Sequence, residues 1–207
     1  QWPEVFAALA LQHRQWAFPL NLLEDLLDAF EQDVVYKQAQ RRYADRAELL
    51  DYCRRSANPI GRLLLRLFRE ESPERLSQSD AICTSLQLIN FWQDVAIDLS
   101  KGRIYLPQED LDRFRISATA LGDSTEGPDW KSLMEFQVAR AVECYGKALA
   151  ELPAVDRKSQ RAGLIMAAIY RQTLEEIAAD GCRVLEHRIS LTPMRKLWIA
   201  WKTWMRG

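Results

Sequence analysis

Apolar residues recur at every third or fourth position along almost the whole chain, and runs that alternate apolar with polar are nearly absent. That periodicity commits the chain to an all-α fold, because alternation is what a half-buried strand needs. Leu22, Leu23, Leu26, Leu27, Phe30 and Val34 form one apolar stripe opposite Glu24, Asp25, Asp28, Glu31 and Asp33. Such a stripe predicts a helix packed on the core. Breakers and caps set the other boundaries. A short helix covers about Pro3 to Gln12, Pro19 ends the pattern, and Asn21 is placed to cap the next helix. Asp45 and Glu48 have capping-box spacing; their helix runs through Cys53, is interrupted at Asn58-Pro59 and resumes from Ile60 to Phe68. Ser77 or Ser79 caps a helix reaching about Asp98, followed by an irregular stretch from Leu99 to Pro107 and a flexible polar loop at 122–129. Helices from Trp130 to Leu152 and from Asp156 to Gly181 come next, then a last one opened by Thr192-Pro193 and ending near Trp204. Seven or so helices, bundled around a central cavity in one domain over 1–207, are expected.

Charge narrows the function. Lys and Arg total 28 against 29 Asp and Glu, so no global excess favours nucleic acid, and any phosphate site must be built locally. Cys53, Cys83, Cys144 and Cys182 are scattered without a CxxC pair and read as buried free thiols in a reducing compartment. No run approaches the ~18 apolar residues that span a bilayer, and no signal peptide opens the chain, so a cytoplasmic location is expected. The first residue is Gln1 rather than Met, which points to a native N-terminus that was removed or not included.

The helix ending at Asp98 is apolar almost all round through Leu86, Leu88, Ile89, Phe91, Trp92, Val95, Ala96 and Ile97, the signature of burial in a large bundle. Only a narrow stripe is polar. At about 100° per residue, Gln87, Asn90, Asp94 and Asp98 fall within roughly 80° of one another, with the two carboxylates about 6 Å apart. Like charges at this spacing repel, and desolvation raises the cost, so a cation would resolve the conflict. Asp and Asn oxygens suit Mg²⁺, which uses one or two carboxylates and fills its remaining positions with water and phosphate oxygens. A solvated face on an otherwise buried helix is the plainer alternative. Against it, Lys101 and Arg103 follow directly, where they could bind the far side of a metal-held diphosphate.

The segment QLINFWQDVAIDLSKGRIYLP, Gln87 to Pro107, closely resembles the second aspartate-rich motif of squalene and phytoene synthases. Three further segments agree with that family in order: LLEDLLDAFEQD resembles its acidic helix, DYCRRSANPIGRLL its YCxxVAGxVG helix, and MAAIYRQTLEEI its late tyrosine-bearing helix. The resemblance covers about Asn21 to Lys196 and implies an isoprenoid (terpenoid) synthase helical bundle acting on a prenyl diphosphate. It implies that Asp94 and Asp98 ligate Mg²⁺ with support from Asn90, and that Lys101, Arg103, Arg188 and Lys196 face the diphosphate. Tyr170 would sit by the leaving group. Without the family, Tyr170 reads as a core aromatic, and Arg188 and Lys196 as surface cations near helix ends. In the family's reactions an allylic or cyclopropylcarbinyl diphosphate ionises, and an apolar cavity guides the cation. Phe91, Trp92 and Tyr105 are candidates for its aromatic wall, with core packing as their alternative role.

The family's first aspartate-rich motif should precede the acidic helix, and Gln1 to Leu20 do not contain it. The expectation is that it belongs to a missing N-terminal portion and that the chain as given is catalytically incomplete. Two departures narrow the branch. Gln93 stands where the family usually has Arg before the metal-binding Asp, and Arg55 occupies the usual Tyr position of YCxYVAG. With Asn58-Pro59 in place of the small Ala-Gly pair, NFWQD and RRSANPIG resemble the hydroxysqualene synthases of bacterial hopanoid pathways. That branch ionises presqualene diphosphate and captures the cation with water, without a nicotinamide cofactor. Arg55 and Gln93 would then hold diphosphate or position that water as catalytic residues. Head-to-head condensation of two prenyl diphosphates is the nearer rival, and a non-catalytic helical binding subunit the more distant one. Trp198, Trp201 and Trp204, flanked by Arg195, Lys196, Lys202 and Arg206, suit either a membrane interface or packing against the bundle.

Overall fold

The computed structural model of the chain describes residues 2–117, 121, 127–150 and 157–206. Among the described residues the fold is all-α, with no strand, in ten helices rather than the seven expected. These are α1 (Pro3–Trp16), α2 (Leu20–Gln38), α3 (Arg46–Ser56), α4 (Asn58–Phe68), α5 (Pro73–Gln93), α6 (Val95–Ser100), α7 (Gln108–Arg113), α8 (Pro128–Ala150), α9 (Arg157–Ala179) and α10 (Pro193–Arg206). Two of the extra elements arise where an expected helix divides. At Ala57 the chain breaks before Pro59, which occupies the first turn of α4 because a missing N–H costs nothing there. At Asp94 the backbone leaves helical angles, yet Asp94 N still donates to Asn90 O and Asp98 N to Asp94 O. The one-face relation of the acidic pair therefore survives the break.

Several caps differ from expectation. The second helix starts at Leu20 after Pro19, without a side-chain cap, so Asn21 is not its cap. The helix bearing the acidic pair starts at Pro73, capped by Ser72 accepting from Arg75 N, and not at Ser77 or Ser79. Asp45 caps α3 as its spacing foretold, accepting from Glu48 N at 2.9 Å while Glu48 takes Ala44 N. Thr192 likewise caps α10 through Arg195 N. Asp156 and most of the polar loop lie outside the described residues.

α5 is the central helix, flanked by α3, α4, α8 and α9, while α2 lies on α3 and α4 and α10 lies on α9. Ile89, Leu49, Cys53, Leu133, Met134, Leu174 and Ile177 fill the core where these meet. The contact between α4 and α5 is close because Gly61 has no side chain: a Cβ there would stand 2.2 Å from Ser79 Oγ and 2.6 Å from Cys83 Sγ. Gly61→Val is expected to cost about 1–3 kcal/mol of folding stability through overpacking. An unchanged denaturation midpoint would contradict this contact.

α2 corrects the expected stripe. Leu27, Phe30 and Val34 are more than half exposed, whereas Leu22 and Ala29 are buried and Asp33 turns inward. Asp33 tolerates that position because Tyr52 and Tyr105 donate their hydroxyls to it, each at 3.0 Å. Cys53 and Cys182 are buried and Cys83 and Cys144 half-buried, and none of the four is in a disulfide among the described residues. No helix among the described residues is long and apolar enough to cross a membrane. α10 meets the bundle through buried Ile199 and leaves Leu197, Trp198, Trp201 and Trp204 at least half exposed.

Candidate functional site

Asp94 and Asp98 sit at the C-terminal end of the buried central helix and at the first turn beyond it. Asn90 Nδ2 donates to Asp94 Oδ2 at 2.8 Å, leaving the amide oxygen of Asn90 for another partner. Arg188 reaches in from the segment between α9 and α10, its Nε donating to Asp94 Oδ1 and its Nη2 to Oδ2 at 3.3 Å. That contact raises the Arg188 pKa, to which nearby Tyr170 also contributes. Three separate stretches of the chain, carrying Asn90 with Asp94, Tyr170, and Arg188, are thus brought to one place. Arg188, expected to face diphosphate, has the Asp94 carboxylate as its immediate partner here.

Asp98 differs from its neighbour. Half-burial and the Asp94 charge push its pKa up to about 6, against the lowering influence of Lys101 and Arg103. In the unfolded chain an Asp titrates near 3.9, so the native state holds the extra proton between about pH 4 and 6, and stability falls as pH rises through that window. In the metal-free protein, Asp98→Asn is expected to flatten the dependence of melting temperature on pH over that range. A dependence identical to that of the parent chain would refute the assignment.

After α6 the chain reverses through Gly102, whose φ of +73° favours glycine, and Arg103 N donates to Asp98 O at 2.8 Å. Arg103 then lines two adjoining cavities. One is walled by Phe91, Trp92, Val95, Asp98 and Tyr105, the other by Asp33, Tyr36, Lys37 and Tyr43. The Tyr105 ring stacks on Phe91 with centroids 3.9 Å apart and planes 10° from parallel, and Tyr43 stacks on its flank at 5.9 Å. An aromatic wall therefore stands directly beside the acidic pair. Arg103 Nε is buried without a hydrogen-bond partner, an unmet donor next to two carboxylates.

The remaining expected residues are placed less centrally. Gln93 is buried and its Nε2 donates to Ile189 O at 2.5 Å, which ties down the segment carrying Arg188. This hydrogen bond joins the end of α5 to that segment. Arg55 bonds Asp51 through Nε at 3.1 Å and Gln32 through Nη2, so its guanidinium is engaged by α2 and its own helix. Lys101 is exposed one turn beyond Asp98. Lys196 is exposed on the first turns of α10, with no side-chain contact to this cluster among the described residues.

Asp33 and Tyr52 were not singled out from sequence, although one signal was there. At about 100° per residue, Asp33 shares a face with Leu22, Leu26 and Ala29, so it is a carboxylate within a buried line.

The donor set suits Mg²⁺: two carboxylates and an amide oxygen on one face, one carboxylate without a cation within ion-pair distance among the described residues, and basic groups beyond. No group of three or more His, Cys, Asp or Glu among the described residues is placed to hold a metal ion. A metal held here would need water and phosphate oxygens to complete its shell.

A family model for squalene/phytoene synthase matches residues 1–195. The chain is 32% identical over 200 residues to the phytoene synthase of Mycobacterium tuberculosis, covering 95% of this chain and 65% of that protein. It is 40% identical over 99 residues to the hydroxysqualene synthase of Zymomonas mobilis, covering 47% of this chain and 32% of that one. The crystal structure of the squalene synthase HpnC from Alicyclobacillus acidocaldarius superposes with a TM-score of 0.76 at 30% identity, over 85% of this chain and 65% of that chain. The chain thus spans about two-thirds of the length of such relatives. Matched over nearly its whole length, with the acidic pair in the segment that resembles the second aspartate-rich motif, the chain belongs to the squalene/phytoene synthase family.

Proposed function

We propose that the protein ionises presqualene diphosphate and lets water capture the rearranged cation, giving hydroxysqualene. The observation that carries the prenyl diphosphate reading is the acidic pair set between Arg103, Arg188 and a stacked aromatic wall. A diphosphate at this place would meet Arg103 and Lys101, with the packed aromatic side chains of Phe91, Trp92 and Tyr105 beside it. The carbon–oxygen bond breaks with its electron pair leaving on the diphosphate; water then supplies the hydroxyl and loses one proton. When bound between Asn90, Asp94 and Asp98, Mg²⁺ would offset the charge of the departing diphosphate. Buried aromatic faces favour a nearby cation and keep bulk water out of the cavity.

Gln93 and Arg55 support the hydroxysqualene branch. An Arg at position 93 would carry its charge into a buried site beside Asp94; Gln93 instead holds the Ile189 carbonyl and so places Arg188 on that carboxylate. The Zymomonas match at 40% identity agrees. A second reading, head-to-head condensation of two prenyl diphosphates, is favoured by the longer match to the mycobacterial phytoene synthase.

Incubating the full-length enzyme with Mg²⁺ and either presqualene or farnesyl diphosphate, with products identified by mass spectrometry, separates the two. Hydroxysqualene from presqualene diphosphate without nicotinamide supports the first reading. Phytoene, dehydrosqualene or presqualene diphosphate as the product supports the second, and inertness toward both substrates sinks both. The substrate's hydrocarbon also gives the exposed face of α10 a role at the cytoplasmic membrane surface. Leu197, Trp198 and Trp201 would enter the interface beside Arg195 and Lys202. Sedimentation with anionic liposomes that does not change in a Trp198→Ser, Trp201→Ser variant would remove that role.

A further inference from the structure

Asp33 joins three elements through one carboxylate. It lies on α2, accepts the hydroxyl of Tyr52 from α3 at Oδ2, and accepts the hydroxyl of Tyr105 from the segment after α6 at Oδ1, both at 3.0 Å. Burial raises the pKa of both phenols, so they remain protonated donors. Tyr105 is fixed in turn by its stack on Phe91, the residue next to Asn90 on the helix of the acidic pair. The phenol of Tyr105 and the guanidinium of Arg103 are two residues apart on a short connection between Gly102 and α7.

Arg103 lies between two carboxylates, lining one cavity with Asp98 and the other with Asp33. Among the described residues it forms an ion pair with neither, and its Nε has no acceptor. How far its guanidinium reaches toward either carboxylate is set by where its backbone is held. Two contacts hold it: the Arg103 N–H on Asp98 O and the Tyr105 hydroxyl on Asp33. Each oxygen of Asp33 already accepts a phenol hydrogen, which weakens its pull on the guanidinium.

We infer that Asp33 is a positioning residue which, through Tyr105 and with Tyr52 as its second anchor, fixes the backbone from which Arg103 presents an unpaired guanidinium to an anionic diphosphate. The inference rests on the diphosphate reading of the site but not on which reaction follows. Its action is indirect. Asp33 need not touch the substrate, and its negative charge would repel a diphosphate that came close. Arg103 is the group that would meet the ligand.

The test is a double-mutant cycle in the full-length enzyme, read as affinity for inorganic diphosphate with Mg²⁺ by calorimetry. Asp33→Ala and Tyr105→Phe are each expected to weaken binding about tenfold when Arg103 is present and less than about twofold when it is replaced by Ala. Melting temperatures, taken in both backgrounds, should shift equally with and without Arg103. That split is what a merely structural role would not produce. Equal losses of affinity in both backgrounds overturn the inference. Should Asp33→Ala fail to fold, Tyr105→Phe keeps the ring and its stack and removes only the hydroxyl link, so it carries the test alone. Diphosphate binding that shows the coupling, in an enzyme that does not convert presqualene diphosphate, leaves the inference standing while the hydroxysqualene reading falls. No binding by the unsubstituted enzyme overturns both.

Discussion

Asp94→Ala is expected to lower diphosphate release from a prenyl diphosphate substrate by about 10²- to 10³-fold, the size seen when a single preorganised charge-stabilising group is lost. Three effects act together at this residue. The change removes one of the two carboxylates on the polar face, deprives Asn90 Nδ2 of its acceptor, and releases Arg188 from the contact that holds it in the site. The measurement is steady-state release of inorganic diphosphate at saturating Mg²⁺, alongside Arg188→Ala. Because the Arg188 guanidinium pairs with Asp94 directly, the two losses should not add: the double variant should be little worse than Asp94→Ala. A loss of less than about threefold for Asp94→Ala would remove the acidic pair from the mechanism, since a group that stabilises a leaving anion cannot be dispensed with so cheaply.

The largest effect on stability is expected at Asp110→Ala, about 3–5 kcal/mol, because removing one partner of a buried ion pair leaves the other uncompensated. The Asp110 side chain is only 5% exposed and accepts from Arg140 Nη1 at 2.9 and 3.0 Å and from Gln137 Nε2 at 2.7 Å. Arg140 also lies over the Phe136 ring, 4.8 Å from its centroid. This cluster fastens α7 to α8. The backbone just before and within α7 is bound in turn to the 43–46 segment, with Gln108 N on Tyr43 O, Glu109 N on Ala44 O and Arg46 N on Glu109 Oε1. α7 is therefore the far anchor of the connection that carries Arg103 and Tyr105. Chemical denaturation would show a lower midpoint for Asp110→Ala, and a change under about 1 kcal/mol would mean that the pair is solvated and weak. Asp110→Asn, which keeps an acceptor for Gln137, should lose less.

Sequence alone determined the class and much of the site. Helical spacing of apolar residues is a local property, so it can be read without knowing what the helix packs against. The i, i+4 relation of Asp94 and Asp98 is local too, and a break in helical angles at Asp94 left it intact. The cap at Asp45 and the start of α4 near Pro59 were legible because their hydrogen bonds close within a few residues. Elsewhere local reading failed. The apolar stripe of α2 was assigned to the core, yet Leu27, Phe30 and Val34 face outward and Asp33 faces in. Amphipathicity gives the sign of a helix face only when polar residues lack buried partners, and two tyrosines from elsewhere in the chain gave Asp33 such partners.

Tertiary structure alone decided which distant groups meet. Nothing in the order of residues says that Arg188 reaches Asp94 across 94 positions, or that Gln93 holds Ile189 across 96. Nor does it say that Arg103 stands between Asp33 and Asp98 without pairing with either. These contacts depend on how helices stack, and stacking is settled by shape and satisfied polar groups over the whole bundle rather than by any short pattern. The periodicity that commits the chain to helices fixes what each residue can offer; the bundle decides to which partner it is offered.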